Sequence, residues 1–159
     1  REDGFIAGLK NAGITLLEEN RRTSAFTLES GYEAALDLLE SKCDIDVISC
    51  ATDTIAAGAI EAIQTYLKKQ IPTNAADAGA RMRYILENTS IRVTGFGDNQ
   101  MLKAVTGGIP TIHFGYKTSG IRGAELLLDS IERGEQIPIE MKLGFRLVGA
   151  DPSDSENLT

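Results

Sequence analysis

A chain of 159 residues, 42% hydrophobic and 25% charged, has the size and make-up of one globular domain with its own core. No apolar run approaches the roughly 20 residues that span a bilayer, and the charged opening Arg1-Glu2-Asp3-Gly4 is no export signal. A net charge of −7 argues against this chain holding nucleic acid by itself, since phosphate binding needs a basic surface.

The first segment, Glu2 to Ala12, puts Phe5, Ile6, Leu9 and Ala12 on one helical face, and Gly13 closes it. Ile14 to Leu17 and Thr23 to Thr27 read as short strands around a polar Glu18–Arg22 stretch. A helix follows from about Glu29 to Ser41, with Tyr32, Ala35, Leu36 and Leu39 as its buried stripe. Strand Val47–Cys50 leads into a helix from Asp53 to about Lys69. Ile55, Ala59, Ile63 and Tyr66 make one apolar stripe on that helix, with Ala56, Ile60 and Leu67 beside it. So wide an apolar arc suits packing against a partner as well as the helix's own sheet. The Lys68-Lys69 pair reads as its solvated end.

Pro72 opens an atypical stretch, Thr73 to Ser90, with helical composition over Ala75–Leu86. Strand Ile91–Phe96 comes next, then a Gly107-Gly108 turn and strand Ile109–Phe114. A helix from Ser119 to about Arg133 carries Ile121, Ala124, Leu127, Leu128 and Ile131, and strand Glu140–Val148 precedes a polar tail. This βα alternation predicts an α/β fold with a mostly parallel sheet and helices on both faces.

The densest chemistry lies in Asp46-Val47-Ile48-Ser49-Cys50-Ala51-Thr52-Asp53, where an apolar β-branched run meets a helix start. Thr52 and Asp53 are residue types whose side-chain oxygens accept first-turn N–H groups. Such a corner stands at the carboxyl end of a strand, where α/β sheets bind ligands. Cys43 and Cys50 match no metal spacing, and with one histidine in the chain the ligand set of a transition-metal site is missing. No metal or cofactor is expected, and a reduced, cytoplasmic setting is.

Together, Arg1-x-x-Gly4-Phe5, the Thr52-Asp53 corner and Val93-Thr94-Gly95-Phe96-Gly97-Asp98-Asn99 resemble the effector-binding domain of LacI/GalR-type bacterial transcription repressors. The resemblance covers residues 1 to about 151, apart from 73–90. It implies a type I periplasmic-binding-protein-like fold, in which two α/β subdomains close over a sugar or other small molecule. The chain looks like the C-terminal part of that domain, lacking a helix-turn-helix segment and most of the first subdomain. Residues 116–136 would pack with the missing part, and residues 152–159 form a tail.

The resemblance also implies a ligand set. Arg1 matches an arginine that hydrogen-bonds effector oxygens, a role suited to the guanidinium fork; the plain alternative is a solvated terminal residue. Phe26 falls where an aromatic stacks on the ligand, or is a core side chain at a strand end. Thr52 stands for the family's asparagine as a ligand contact, while Asp53 is explained as a helix cap. In Gly95-Phe96-Gly97-Asp98-Asn99 a glycine replaces the usual aspartate. Asp98 therefore supplies the accepting carboxylate after a one-residue shift, or belongs to an ordinary turn. Tyr116 falls where the family faces the cleft, and His113 reads as structural. The family's dimer surface maps to Ile55, Ala59, Ile63, Met101 and Leu102.

The expected function is a repressor's ligand-sensing domain. The partners are a sugar or sugar phosphate (sucrose or another disaccharide in the narrow reading), a second copy of the chain, and operator DNA reached only through the missing segment; no membrane is involved. An exported sugar-uptake protein is the closest alternative. Catalysis is more distant: Asp37, Asp53, Asp98 and His113 offer acids and bases, but their spacing shows no nucleophile with its base and no phosphate loop.

Overall fold

Two threonines start the helices at the centre of the fold. Thr27 accepts the Ser30 N–H at 3.2 Å and opens α2, Leu28–Glu40; Thr52 accepts the Ile55 N–H at 3.2 Å and opens α3, Asp53–Tyr66. Each extended threonine satisfies a first-turn donor that has no intrahelical partner. The computed structural model describes residues 1–41, 44–67, 89–106, 108–134 and 139–149. Before these helices lie α1, Glu2–Asn11, and a single 3-10 turn at Glu18–Asn20; between them lies strand β1, Val47–Ser49. After α3 come β2, Arg92–Thr94, α4, Gln100–Thr106, β3, Thr111–Phe114, α5, Tyr116–Arg133, and β4, Phe145–Val148.

β1 and β2 pair in parallel, Ile48 opposite Val93, while β3 and β4 pair antiparallel, Ile112 opposite Leu147. The Gly95 N–H donates to the Pro110 carbonyl at 2.8 Å and the Gly97 N–H to the Ile112 carbonyl at 3.0 Å. These bonds carry the end of β2 alongside β3, so the carboxyl ends of β1, β2 and β3 meet at one corner.

The core lies between this ribbon and the α2–α3 pair: Ala35, Leu38 and Leu39 from α2, Ala56, Ala59, Ile60, Ala62 and Ile63 from α3, Ile48 and Val93 from the strands, and Leu102 and Ile109. The two helices touch backbone to backbone. A Cβ added at Gly31 would stand 2.8 Å from the Ile55 carbonyl oxygen, and one at Gly58 would overlap the Leu28 carbonyl. Only a residue without a side chain permits that approach.

Several expectations change. Ile14–Leu17 and Thr23–Thr27 are not strands; Ile14 and Leu17 are exposed, and no neighbouring strand among the described residues offers them a ladder. α5 begins at Tyr116, three residues before Ser119, and β4 begins at Phe145 rather than Glu140. α4 was not expected; Asn99 starts it, its side-chain oxygen accepting the Met101 N–H at 2.9 Å and the Leu102 N–H at 3.2 Å. The sheet is covered on one face among the described residues, since Val47, Ser49 and Arg92 on the other are exposed.

The proposed contact surface also divides. Ala59 and Ile63 are fully buried and Leu102 nearly so, inside the chain's own core. They present no area to a second copy; Met101, 79% exposed, and the half-buried Ile55 do. Cys43, Lys68-Lys69, Gly107, residues 73–88 and the tail lie outside the described residues. Among those described, no helix is long and apolar enough to cross a membrane.

Candidate functional site

At the strand-end corner, the buried carboxylate of Asp53, 3% exposed, is the centre of a polar network. Its Oδ1 accepts the Thr111 hydroxyl at 2.7 Å, and its Oδ2 accepts the Asn99 N–H. Its own N–H donates to the Phe96 carbonyl at 3.2 Å. One side chain thereby ties the first turn of α3 to the 95–99 turn and to β3. Gly95 is required here, because a Cβ would overlap Asp53 Oδ1. The capping role assigned to this corner falls to Thr52, whose hydroxyl is engaged with Ile55, and Asp53 instead fastens three elements together.

Asp98 adopts the left-handed conformation, φ +53°, which aspartate tolerates better than most residues. Its N–H donates to Thr111 Oγ1 at 3.3 Å, and its Oδ2 lies 2.7 Å from His113 Nδ1. The Asp98 side chain is 6% exposed and the His113 ring 32%. The aspartate therefore faces the histidine. His113, read from sequence as structural with its ring satisfied by backbone, is held by a carboxylate instead.

Around this pair stands an aromatic group. Phe96 and Phe114 have centroids 4.9 Å apart, and Tyr116 meets His113 edge-on at 5.9 Å and Phe114 at 6.1 Å. The Tyr116 hydroxyl donates to the Gly97 carbonyl at 2.9 Å. Arg1 joins from the start of α1: its Nη1 donates to the Ala51 carbonyl at 2.9 Å, and its guanidinium carbon sits 4.1 Å over the Phe96 ring. That geometry combines a hydrogen bond with a cation–π contact and leaves further guanidinium donors for a ligand.

The structure thus brings together Arg1, Thr52, Asp98 and Tyr116. Phe26 is 71% exposed, belongs to no strand, and makes no ring contact among the described residues. That exposure overturns the reading of Phe26 as a core side chain at a strand end. Sequence reasoning missed Phe96 as the platform under Arg1, and missed the Asp98–His113 pair. The alternation of β3 held the clue for His113, since Thr111 and His113 share a strand face and both meet aspartates. Cys50, buried beside this corner, is a free thiol; burial first, then the Asp53 charge, pushes it up to about 12. Among the described residues, no group of three or more His, Cys, Asp or Glu stands ready for a metal ion.

This arrangement offers cationic donors, aromatic faces and a carboxylate–imidazole pair at the end of a parallel sheet, while the Thr111 hydroxyl beside the Asp53 carboxylate is buried and engaged in holding the corner together. The comparisons with known proteins agree with a binding role. The family model for periplasmic binding proteins and the sugar-binding domain of the LacI family matches residues 1–143. The HTH-type transcriptional repressor PurR of Erwinia tasmaniensis is 30% identical over 143 residues, 89% of this chain and 37% of that protein. PurR of Yersinia enterocolitica is 28% identical over 93% of this chain and 38% of its own length. The chain therefore spans under two-fifths of these two relatives. Among solved structures, the transcriptional regulator CelR–cellobiose complex superposes with a TM-score of 0.71 at 21% identity, covering 91% of this chain and 39% of that one. The lac repressor dimer bound to operator and anti-inducer does so at 0.70 and 20% identity, over 93% and 45%. The chain belongs to the family of periplasmic binding proteins and LacI-type sugar-binding domains.

Proposed function

We propose that the chain is the C-terminal part of the ligand-sensing domain of a transcription repressor, with α5, Tyr116–Arg133, packed against a further subdomain. The observation that carries this is the convergence of Arg1, Phe96, Asp98, His113 and Tyr116 at one strand-end corner. A sugar or sugar phosphate held there bridges two subdomains and shifts the population between open and closed arrangements. That shift changes the DNA affinity of a helix-turn-helix segment lying outside these 159 residues. The repressor names of the curated relatives favour regulation over uptake, and two structural neighbours hold cellobiose and ribose. A homodimer using Ile55 and Met101, acting in the cytoplasm, completes the reading.

The test is calorimetry and gel shift on the full-length protein against a panel of sugars and sugar phosphates. At least one compound binds and changes DNA affinity. Arg1→Ala weakens that binding at least about tenfold, the loss of one charged hydrogen-bond partner, with folding unchanged. DNA affinity indifferent to every bound compound would overturn the reading.

A further inference from the structure

His113 is the only histidine in the chain, and its placement is unusual for a surface ring. Asp98, in a left-handed backbone conformation with φ +53°, reaches it with its carboxylate. Thr111 holds the Asp98 N–H, and Asp53 holds Thr111. The carboxylate is thereby fixed 2.7 Å from Nδ1. An ionised carboxylate only accepts, so Nδ1 must carry the proton. In the neutral ring the other nitrogen, Nε2, is then left with its lone pair. The ring is about one-third exposed, at 32%, and Nε2 has no hydrogen-bond partner among the described residues. Tyr116 buttresses the ring by its edge, 5.9 Å between centroids. The result is an oriented acceptor within the same cluster as the Arg1 donors and the Phe96 and Phe114 rings.

We propose that His113, with its tautomer set by Asp98, is the hydrogen-bond acceptor for the ligand in this crevice, and that the ligand is a neutral, hydroxyl-bearing molecule rather than a phosphate ester. This rests on the ligand-sensing reading above and narrows it. The accepting role that the sequence assigned to Asp98 passes one residue outward, to the imidazole that Asp98 holds. A sugar hydroxyl supplies the proton that an Nε2 lone pair needs, while the apolar C–H face of its ring suits the aromatic group. A phosphate monoester carries a charge of about −1.5 to −2 and offers mainly acceptors. It would bring its oxygens toward a lone pair and toward the Asp98 and Asp53 carboxylates, with Arg1 already committed in part to Ala51. Asp98 is a positioning residue here, and its contribution is the choice of tautomer.

Two measurements decide this. A long-range proton–nitrogen correlation spectrum of the full chain in alkaline buffer contains a single imidazole, so assignment is direct. The Nδ1–H tautomer is expected, and in Asp98→Gly, which keeps the left-handed backbone, that preference disappears. An Nε2–H tautomer in the unmutated chain overturns the proposal. Calorimetry on the full-length protein then compares glucose, ribose and cellobiose with glucose 6-phosphate and ribose 5-phosphate. A parent sugar binds more tightly than its phosphate, His113→Phe weakens it at least about tenfold, and His113→Gln, which keeps an acceptor, retains most of the affinity. A phosphate ester binding more tightly than its parent sugar, or a sugar bound equally well by folded His113→Phe, overturns the ligand assignment. If no compound binds, the sensing reading falls and the ligand class with it, while the spectrum still decides the tautomer.

Discussion

Asp53 shows how much a single buried carboxylate organises. It accepts from a hydroxyl on β3 and from a backbone N–H in the 95–99 turn. An amide in its place keeps one acceptor and turns the other into a donor facing a donor. Asp53→Asn is therefore expected to destabilise the fold by about 1–3 kcal/mol, the cost of one unsatisfied buried polar group, as read by urea unfolding. Cys50, three residues earlier, gives a second expectation. Its thiol is pushed from an ordinary 9.0 up to about 12, by burial and then by the Asp53 charge. Between those values the folded chain keeps a proton that the unfolded chain releases. Unfolding therefore becomes easier as pH rises from about 9 to about 12. Below that window Cys50 makes no pH-dependent contribution, and a thiol reagent at pH 8 modifies it only after denaturant is added.

At the scale of elements, the α2–α3 crossing is the least forgiving contact. Gly58→Ala forces a methyl group into the Leu28 carbonyl and the Tyr32 amide. The expected loss is about 1–3 kcal/mol from overpacking, against which Gly120→Ala or Gly123→Ala in α5, where a Cβ meets nothing within 4 Å, gains roughly 0.5–1 kcal/mol. Thermal unfolding of the three variants separates the two effects. The helices α2, α3 and most of α5 were legible in the sequence because apolar stripes, and at Thr52 a cap, are local, whereas Thr27, read as a strand end, is in fact the cap of α2. The strands at Ile14–Leu17 and Thr23–Thr27 were not decidable that way, since a strand exists only where another offers it a ladder. α4 escaped notice because its start, Asn99, sits inside a turn whose Gly97 and Asp98 both have positive φ. The site divides in the same manner. The Thr52-Asp53 corner could be found locally, whereas Arg1 over Phe96 and Asp98 against His113 are meetings across 95 and 15 positions of sequence.

For the molecule as a whole, charge and exposed apolar area set the behaviour in solution. At −7 the isolated chain is expected to show no sequence-selective, salt-sensitive binding in gel shift with DNA. Ile121, Leu127, Leu128 and Ile131 of α5, with Phe145 of β4, are all exposed. The isolated chain should therefore brighten an apolar dye such as ANS, and Leu127→Lys with Ile131→Lys should dim it, as fluorescence titration will show. α5 has a further property, kinetic in nature. It is 18 residues long and contains no buried residue, whereas α3 runs through the core. A helix without tertiary support is only marginally stable in water. In deuterated buffer, α5 amides should trade their protons through local opening, long before those of Ala59 to Ile63, which wait for global unfolding. One polypeptide thus carries two clocks, and covering α5 is what would bring them into step.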